Sequence, residues 1–586
     1  MYNNPTISSY IYELWCYLDH RSKVQVFLVL ILMIVSSIVE IASIGLVVPF
    51  LAFLIEPEVA FNHAYMQPVL NRFNIESSDH MILPLTAIFI LSVFASSAIR
   101  ILLLYLSTKL SYDTGSDISV DIFRRTLYQN YSVHIKRNSS EIISGVIAKS
   151  DAVIGGIFTP ILNVFSTSFF LFGILGFLLF IDIFATLVVL IIFGLIYWLF
   201  LFYTQIKLKA NSYTITNENV MMIKSLQEGL KGIRDVIIDG SQEYHTGVYQ
   251  KHDRPFRAAH RSNIFISSSP RFVIEFIAVT VIVTIAYFLS QNNGNLTNTI
   301  PILGAIALGA QKLLPAMQIA YRSLSTIRGS QSSLIDVIEL LKQPIPKKEK
   351  ESFKLSFKNN ISLIDANFKY NKNDIWEVKN FNLTIEKGKL TGFVGETGSG
   401  KSTLLDIIMG LLILDSGKLS VDSKYITKEN IHAWQANIAH VPQNIYLSDS
   451  TIIENIAFGI TKEEINIELV KKAAKDACIS DYIEGLPNKY YSTVGESGIS
   501  LSGGQIQRIG IARALYKEAD VLVLDEATSA LDKKTQERVM SSIVNSNNEL
   551  TLLIIAHRLS TLDQCDTVVY LNKNGIDQIK HNSIFK

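Results

Sequence analysis

Nine residues, Gly395 to Thr403, read GETGSGKST and fit G-x-x-x-x-G-K-[ST] through Gly395, Gly400, Lys401 and Ser402. An apolar run, Leu390 to Val394, precedes them, and an apolar helical pattern, Leu404 to Leu412, follows. A glycine-rich loop between strand and helix lets backbone N–H groups close around phosphate oxygens, with the helix N-terminus adding positive potential. Gly395, Glu396, Thr397, Gly398, Ser399, Gly400, Lys401, Ser402 and Thr403 are therefore the candidate phosphate cradle. Lys401 is expected to reach the β- and γ-phosphates, and the Ser402 hydroxyl to hold Mg²⁺. The alternative, a glycine turn that binds nothing, does not account for the full motif in this local context.

About 120 residues later, Val521 to Leu524 form an apolar strand that ends in Asp525 and Glu526. Carboxylates at the C-terminal end of a buried strand suit metal and water chemistry. Asp525 is expected to organise Mg²⁺ through water, and Glu526 to polarise an attacking water as general base. Leu501 to Gln505, LSGGQ, opens a helix through Ile511 and Leu515; Ser502, the N–H groups of Gly503 and Gly504, and Gln505 make a second anion site at a helix start.

These residues occupy only the last part of the chain. With 586 residues the chain is too long for one ordinary core, so at least two domains are expected. Charged residues are 18% and hydrophobic ones 49%, and mean hydropathy is +0.29, which points to a membrane. The net charge of +1 supplies no basic field for nucleic acid. Cys16, Cys478 and Cys565 lie too far apart for a metal motif or a disulfide framework. The polar first twenty positions and long first apolar run predict no cleavable signal peptide.

Six apolar runs are long enough to span a bilayer: Val24–Ile55, Met81–Leu110, Ile157–Phe180, Ile183–Tyr203, Ile264–Leu289 and Ile300–Leu324. Basic residues crowd two of the intervening segments, Arg124 to Lys149 and Lys207 to Arg261, whereas the segments after the first, third and fifth runs carry only Arg72. The positive-inside rule then puts both termini and both long loops in the cytoplasm. Val220, Ile223, Leu226, Leu230 and Ile233 keep helical spacing, so these loops are expected to be helical extensions of the spans. Phe61, Tyr65, Val69, Leu70 and Phe73 suggest an amphipathic helix at the outer interface, with a plain solvated loop as the alternative. KQPIPKKEKES, Lys342 to Ser352, reads as a linker. The expected division is a membrane helical domain over 1–342, a linker over 343–352 and an α/β nucleotide domain over 353–586.

The order and content of the nucleotide motifs resemble the ATP-binding cassette (ABC) ATPases. The resemblance implies ATP as the nucleotide. It also assigns Tyr370 to stacking on adenine, Gln443 in VPQN to sensing Mg²⁺ and the attacking water, and TVGESG, Thr493 to Gly498, to contact with the membrane domain. Asp532 would communicate across a dimer, and His557 in IIAHRLS would contact the γ-phosphate; a lone histidine after an apolar strand is otherwise more often structural. In that family the LSGGQ of one cassette closes on the phosphate loop of another. A chain with one of each implies a partner, and two intact halves imply a homodimer. Six spans followed by one cassette resemble the half-transporter layout of ABC exporters, with Tyr128–His134 and Glu228–Asp235 near the turns that couple cassette to membrane domain.

Ionisable residues inside spans are functional candidates. They are Glu40, Arg100, Arg271, Glu275 and Lys312. A rise of 1.5 Å per residue puts Arg100 ~29 Å and Lys312 ~18 Å below the starts of inward-running spans, and Arg271 ~10 Å into an outward-running one. Three cations per chain, doubled in a dimer, would suit an anionic headgroup such as a pyrophosphate. The competing reading pairs Arg271 with Glu275 and Glu40 with Arg100, and lets Lys312 snorkel. SIVEIASIGLVVPFL, SPRFVIEFIA and KLLPA resemble the bacterial lipid-linked oligosaccharide flippases. That resemblance implies a polyprenyl-pyrophosphate-linked saccharide as substrate and the bacterial inner membrane as location. A multidrug or lipid A exporter shares every ATPase motif and is the alternative. A peptide exporter with an N-terminal peptidase is not expected with about 20 residues before the first run. A soluble ABC ATPase acting on nucleic acid disagrees with six apolar runs.

Overall fold

The computed structural model describes residues 6–47, 50, 53–54, 79–181, 183–292, 296–345, 354–371, 378–495, 498, 501–527, 530–546, 549–555, 562, 564–572 and 575–581. The proposed outer-interface helix, apart from its last residues, lies outside the described residues, as do most of the linker and His557. The chain divides into two compact units. The first comprises Met1–Gln129 and Lys136–Ile345, and the second Asn130–Ile135 and Pro346–Lys586.

The first unit is helical. Most of each apolar run lies in one of six helices: α1 (His20–Gly45), α2 (Asp79–Leu127), α3 (Thr159–Ile181), α4 (Ile183–Lys231), α5 (Pro270–Asn292) and α6 (Leu296–Gly329); Ile157 and Phe158 belong to a π turn, and Ile264 to Ser268 to the preceding helix Gln242–Ser268. Among the described residues three segments, His20–Gly45, Ile82–Leu127 and Ser139–Phe177, are long and apolar enough to cross a membrane. Helices α2 and α4 each run for 49 residues, about 74 Å at 1.5 Å per residue. Their apolar halves therefore continue into polar helical extensions. The helix that starts at Ser139 passes through two π turns, Gly145–Lys149 and Ile154–Phe158, before α3. Two apolar clusters hold the unit. One gathers Val29, Met33, Ile122, Ile157, Leu334 and Val337. The other gathers Ile44, Phe170, Ile174, Tyr197, Ile274 and Leu313. Leu91, Phe94, Ile101 and Leu104 on α2 remain exposed, an apolar surface that suits lipid or a second chain.

The second unit is α/β. A four-stranded antiparallel sheet, order β2-β1-β4-β5, uses β1 (Asn360–Phe368), β2 (Val378–Glu386), β4 (Ser416–Val421) and β5 (Lys424–Tyr425). A six-stranded sheet, order β10-β9-β3-β8-β7-β6, uses β3 (Leu390–Gly395), β6 (Ile438–Val441), β7 (Val521–Asp525), β8 (Thr551–Ile555), β9 (Thr567–Asn572) and β10 (Gly575–His581). Its β6, β7, β8, β3 and β9 pair in parallel, and only β10 is antiparallel. Continuous apolar runs such as VLVL and TLLII suit strands covered on both faces. Val521 to Leu524 and Thr551 to Ile555 are all buried. One core forms on each side: Phe393, Leu404, Ile408 and Trp434 on the phosphate-loop side, and Val441, Ile509, Ile511 and Leu524 on the other. The C-terminal ends of β3 and β7 thereby bring the phosphate loop and the two carboxylates to one edge, where open parallel sheets bind ligands.

Candidate functional site: nucleotide pocket and intramembrane charges

The phosphate loop leaves β3 at Gly395 and enters α7 (Lys401–Ile408). Gly398 and Gly400 take φ of 82° and 85°, which a side chain would strain. A Cβ on Gly395 would collide with the Leu571 carbonyl oxygen. Lys401 is buried, and its Nζ donates to the carbonyls of Gly395 at 2.8 Å and Glu396 at 2.9 Å. Burial lowers its pKa, opposed by the charges of Glu526 and Asp525. Among the described residues the buried Ser399 hydroxyl has no hydrogen-bond partner, so the loop holds a donor that a phosphate oxygen would satisfy. Ser402 sits exposed in the first turn of α7.

Asp525 ends β7, and Glu526 follows with φ of 51°. Left-handed backbone at a glutamate is strained, and such strain concentrates where a side chain must be aimed. The Gln443 Nε2 donates to Glu526 Oε2 at 2.9 Å, so two residues 83 positions apart share one water-sized locale. Ser402, Gln443 and Asp525 would hold Mg²⁺, which when bound neutralises charge on the β- and γ-phosphates. Among the described residues no cluster of three His, Cys, Asp or Glu that could hold a metal ion occurs.

The Tyr370 hydroxyl lies 3.0 Å from Thr403 Oγ1, and its ring meets Phe368 edge-on at 5.1 Å. The aromatic assigned to adenine thus sits beside the first turn of the phosphate-loop helix. LSGGQ opens α8 (Gly503–Tyr516) through a capping box. Ser502 Oγ accepts from Gln505 N, and Gln505 Oε1 accepts from Ser502 N. This leaves the N–H groups of Gly503 and Gly504 at the free helix end. Among the described residues no hydrogen bond joins Ser502, Gly503, Gly504 or Gln505 to the phosphate loop; α8 belongs to the opposite core. Asp532 accepts from Thr535 N at 2.9 Å at the start of α9 (Lys533–Ser546). Those hydrogen bonds hold its carboxyl below the usual range.

One feature was not singled out from sequence, and a second bears on an expected coupling turn. Asp406 sits in α7, and burial first, then the Asp525 charge, push its carboxyl up to about 6. A lone acid inside LLDIIMGLL was the available signal. The second is Tyr131, within the expected coupling segment Tyr128–His134 and in the short helix Tyr131–Lys136. Residues Asn130–Ile135 group with the nucleotide unit, and burial first, then Asp406, raise the Tyr131 phenol above its ordinary pKa.

A folded-state carboxyl pKa above the unfolded value means the charged form is penalised in the fold. The stability is then full below about pH 4 and is lost as pH rises through about 6. Asp406→Asn is expected to raise the cassette melting temperature at pH 7.5, with the gain shrinking toward pH 5. Calorimetry of variant minus wild type checks this, because buried His440, held down to about 4, drives wild-type stability the opposite way. An equal difference at both pH values would refute the burial penalty at Asp406.

Residues 26–308 match the ABC transporter transmembrane region, and residues 378–529 match the ABC transporter domain. The chain belongs to the ABC transporters. It is 28% identical over 465 residues to an ATP-dependent lipid A-core flippase of Saccharophagus degradans, covering 78% of this chain and 76% of that one. The lipid A-core flippase of Escherichia coli strain K12 is 28% identical over 382 residues, 64% of each chain. A bacterial Atm1-family ABC exporter with ATP bound superposes with a TM-score of 0.78 at 20% identity, covering 96% of this chain and 95% of that one. The fold is accordingly a helical exporter domain followed by an ABC cassette, and ATP hydrolysis coupled to transport is this transporter's activity.

In the transporter's helical unit the intramembrane charges are not free. Glu40 Oε1 accepts from Arg100 Nη1 at 2.8 Å and lies 3.4 Å from Lys312 Nζ. Arg271 Nε donates to Glu275 Oε1 at 2.7 Å along α5. The Glu40 side chain is only 10% exposed, whereas Arg100 and Lys312 are 54% and 47% exposed. The expectation of three uncompensated cations per chain is corrected: three cations share two carboxylates, leaving a net +1. The pairing alternative holds for Arg271–Glu275 and Glu40–Arg100, while Lys312 joins Glu40 instead of snorkelling freely. Two cations facing one carboxylate are only half compensated, which leaves the cluster one net positive charge.

Proposed function

We propose that this ABC transporter is a homodimeric lipid flippase of the bacterial inner membrane with six spans per chain and both termini and cassettes in the cytoplasm. Two chains would build two composite ATP sites, the phosphate loop of one facing Ser502 to Gln505 of the other. Glu526 acts as general base, Gln443 positions water and ion, and His557 contacts the γ-phosphate. Cassette closure on ATP drives the helices outward, and hydrolysis resets them. The substrate is a lipid with an anionic headgroup. The observation that carries this is the Glu40–Arg100–Lys312 cluster, two half-exposed cations on one buried carboxylate.

The chemistry recognised is a phosphate or pyrophosphate beside a sugar. We read it as a polyprenyl-pyrophosphate-linked oligosaccharide, supported by the flippase-like stretches around Glu40, Arg271 and Lys312. The similarity to lipid A-core flippases favours lipid A-core as the second reading. ATPase rates in proteoliposomes, with a polyprenyl-pyrophosphate saccharide in one arm and lipid A-core in another, separate them. Several-fold stimulation by the first alone is the expected result, and stimulation by lipid A-core alone replaces the substrate. A response to neither, with a response to amphiphilic drugs, ends the anionic-lipid reading.

A further inference from the structure

Gln443 reaches Glu526 from a loop. It lies two residues past β6, and the chain then runs without a helix or strand to the short helix Ile452–Ile456. A loop side chain is aimed only as well as its backbone is held, and a misplacement of about 1 Å costs about a hundredfold in rate.

The loop is held from α8, the helix that LSGGQ opens. All three nitrogens of the Arg513 guanidinium donate to this stretch of chain. Nη1 donates to the Tyr446 carbonyl at 2.8 Å, Nε to the Asn455 carbonyl at 2.8 Å, and Nη2 to Asn455 Oδ1 at 3.2 Å. The guanidinium carbon also lies 4.6 Å from the centre of the Phe458 ring. Asn455 is fully buried, and its amide folds the loop around itself. Oδ1 accepts from Ser448 N at 3.0 Å, and Nδ2 donates to the Ser448 carbonyl at 3.0 Å and to Ser450 Oγ at 3.1 Å. Nearly one turn before Arg513, Gly510 lets Ile445 approach; a Cβ there would lie 2.5 Å from Ile445 Cδ1. Ile445 and Tyr446, two and three residues past Gln443, are thus both fixed by α8, roughly 12 to 16 Å along the helix from its N-cap Ser502.

We infer that Arg513 is a positioning residue for ATP hydrolysis. It fastens the loop that carries Gln443 to the helix that LSGGQ opens, and so keeps the Gln443 amide on Glu526. The effect on hydrolysis rests on the role of Gln443 proposed above; the holding of the loop does not. The full-length protein in nanodiscs is compared as wild type, Arg513→Met, Gln443→Ala and the double variant. Arg513→Lys replaces Arg513→Met if the latter does not fold; lysine keeps the charge but lacks the planar fork of donors, so the same direction is expected.

Amide hydrogen exchange without nucleotide reads the holding. In Arg513→Met it quickens at least tenfold over residues 444–450, where Asn455 holds the Ser448 N–H, while β7 stays protected. Unchanged exchange in the loop, or equal acceleration across the cassette, overturns the inference. ATPase rates over a range of Mg²⁺ read the consequence. The half-saturating Mg²⁺ concentration rises about tenfold in Arg513→Met, the scale for losing a support behind a metal ligand. In the Gln443→Ala background Arg513→Met adds nothing, because it acts through the glutamine. Additive effects overturn the inference, as does an unchanged Mg²⁺ dependence in Arg513→Met beside a shifted one in Gln443→Ala. If Gln443→Ala itself keeps the wild-type dependence, the role of Gln443 fails instead, and hydrogen exchange decides whether Arg513 holds the loop.

Discussion

Glu526→Gln lowers the ATPase rate by roughly two to three orders of magnitude, the range for loss of a general base, and leaves ATP binding intact. The phosphate-holding groups are separate from this carboxylate. Lys401 is held by the Gly395 and Glu396 carbonyls, and the orphaned Ser399 hydroxyl belongs to the loop itself. Glutamine keeps the shape and can still accept from Gln443, which now donates to Glu526 Oε2 at 2.9 Å, so the strained turn at φ 51° survives. The variant is therefore expected to accumulate an ATP-bound closed dimer. Single-turnover hydrolysis together with retained radiolabelled ATP measures both halves. Turnover near the wild-type rate would remove Glu526 from the role of base, and loss of ATP retention would show that its carboxylate holds the loop.

Glu40→Gln has opposite effects on stability and lipid response. The carboxylate is nine-tenths buried between Arg100 and Lys312. Removing one partner of a buried ion pair costs about 3–5 kcal/mol. Here both cations are about half exposed, so roughly 1–2 kcal/mol and a fall of several degrees in melting temperature are expected. The two released cations then meet a dianionic headgroup without internal competition. The half-stimulating concentration of a pyrophosphate lipid falls about tenfold, equivalent to 1.4 kcal/mol. Thermal scans and lipid-stimulated ATPase on one preparation read both quantities. A rise in that concentration would mean that Glu40 itself contacts the substrate, and no change in either quantity would leave the cluster without the proposed role.

Much of this molecule is legible in short stretches of chain. GETGSGKST, VLVLDE and LSGGQ carry their chemistry in residue types at fixed spacing, because a backbone cradle, a strand end and a helix start are local structures. The apolar runs around Val24, Met81 and Ile157 predict helices by length alone, and most of each run lies in α1, α2 or α3. The helical extensions of α2 and α4 follow from periodicity continuing past the apolar stretch. The π turns at Gly145–Lys149 and Ile154–Phe158 leave no comparable trace, since a one-residue bulge changes register without changing composition.

By itself, then, the sequence determined the ABC transporter family and the order of a helical membrane region and a cassette. Contacts between distant positions were decided only in three dimensions. Glu40 meets Arg100 across 60 residues and Lys312 across 272, and which cations it neutralises depends on the rotation and depth of three separate helices. Gln443 meets Glu526 across 83 residues because β6 and β7 are neighbours in the sheet. Among the described residues the buried Tyr197 hydroxyl has no hydrogen-bond partner. Residue spacing records the period of one element, whereas partner choice is set by how elements pack, and no local pattern carries that packing.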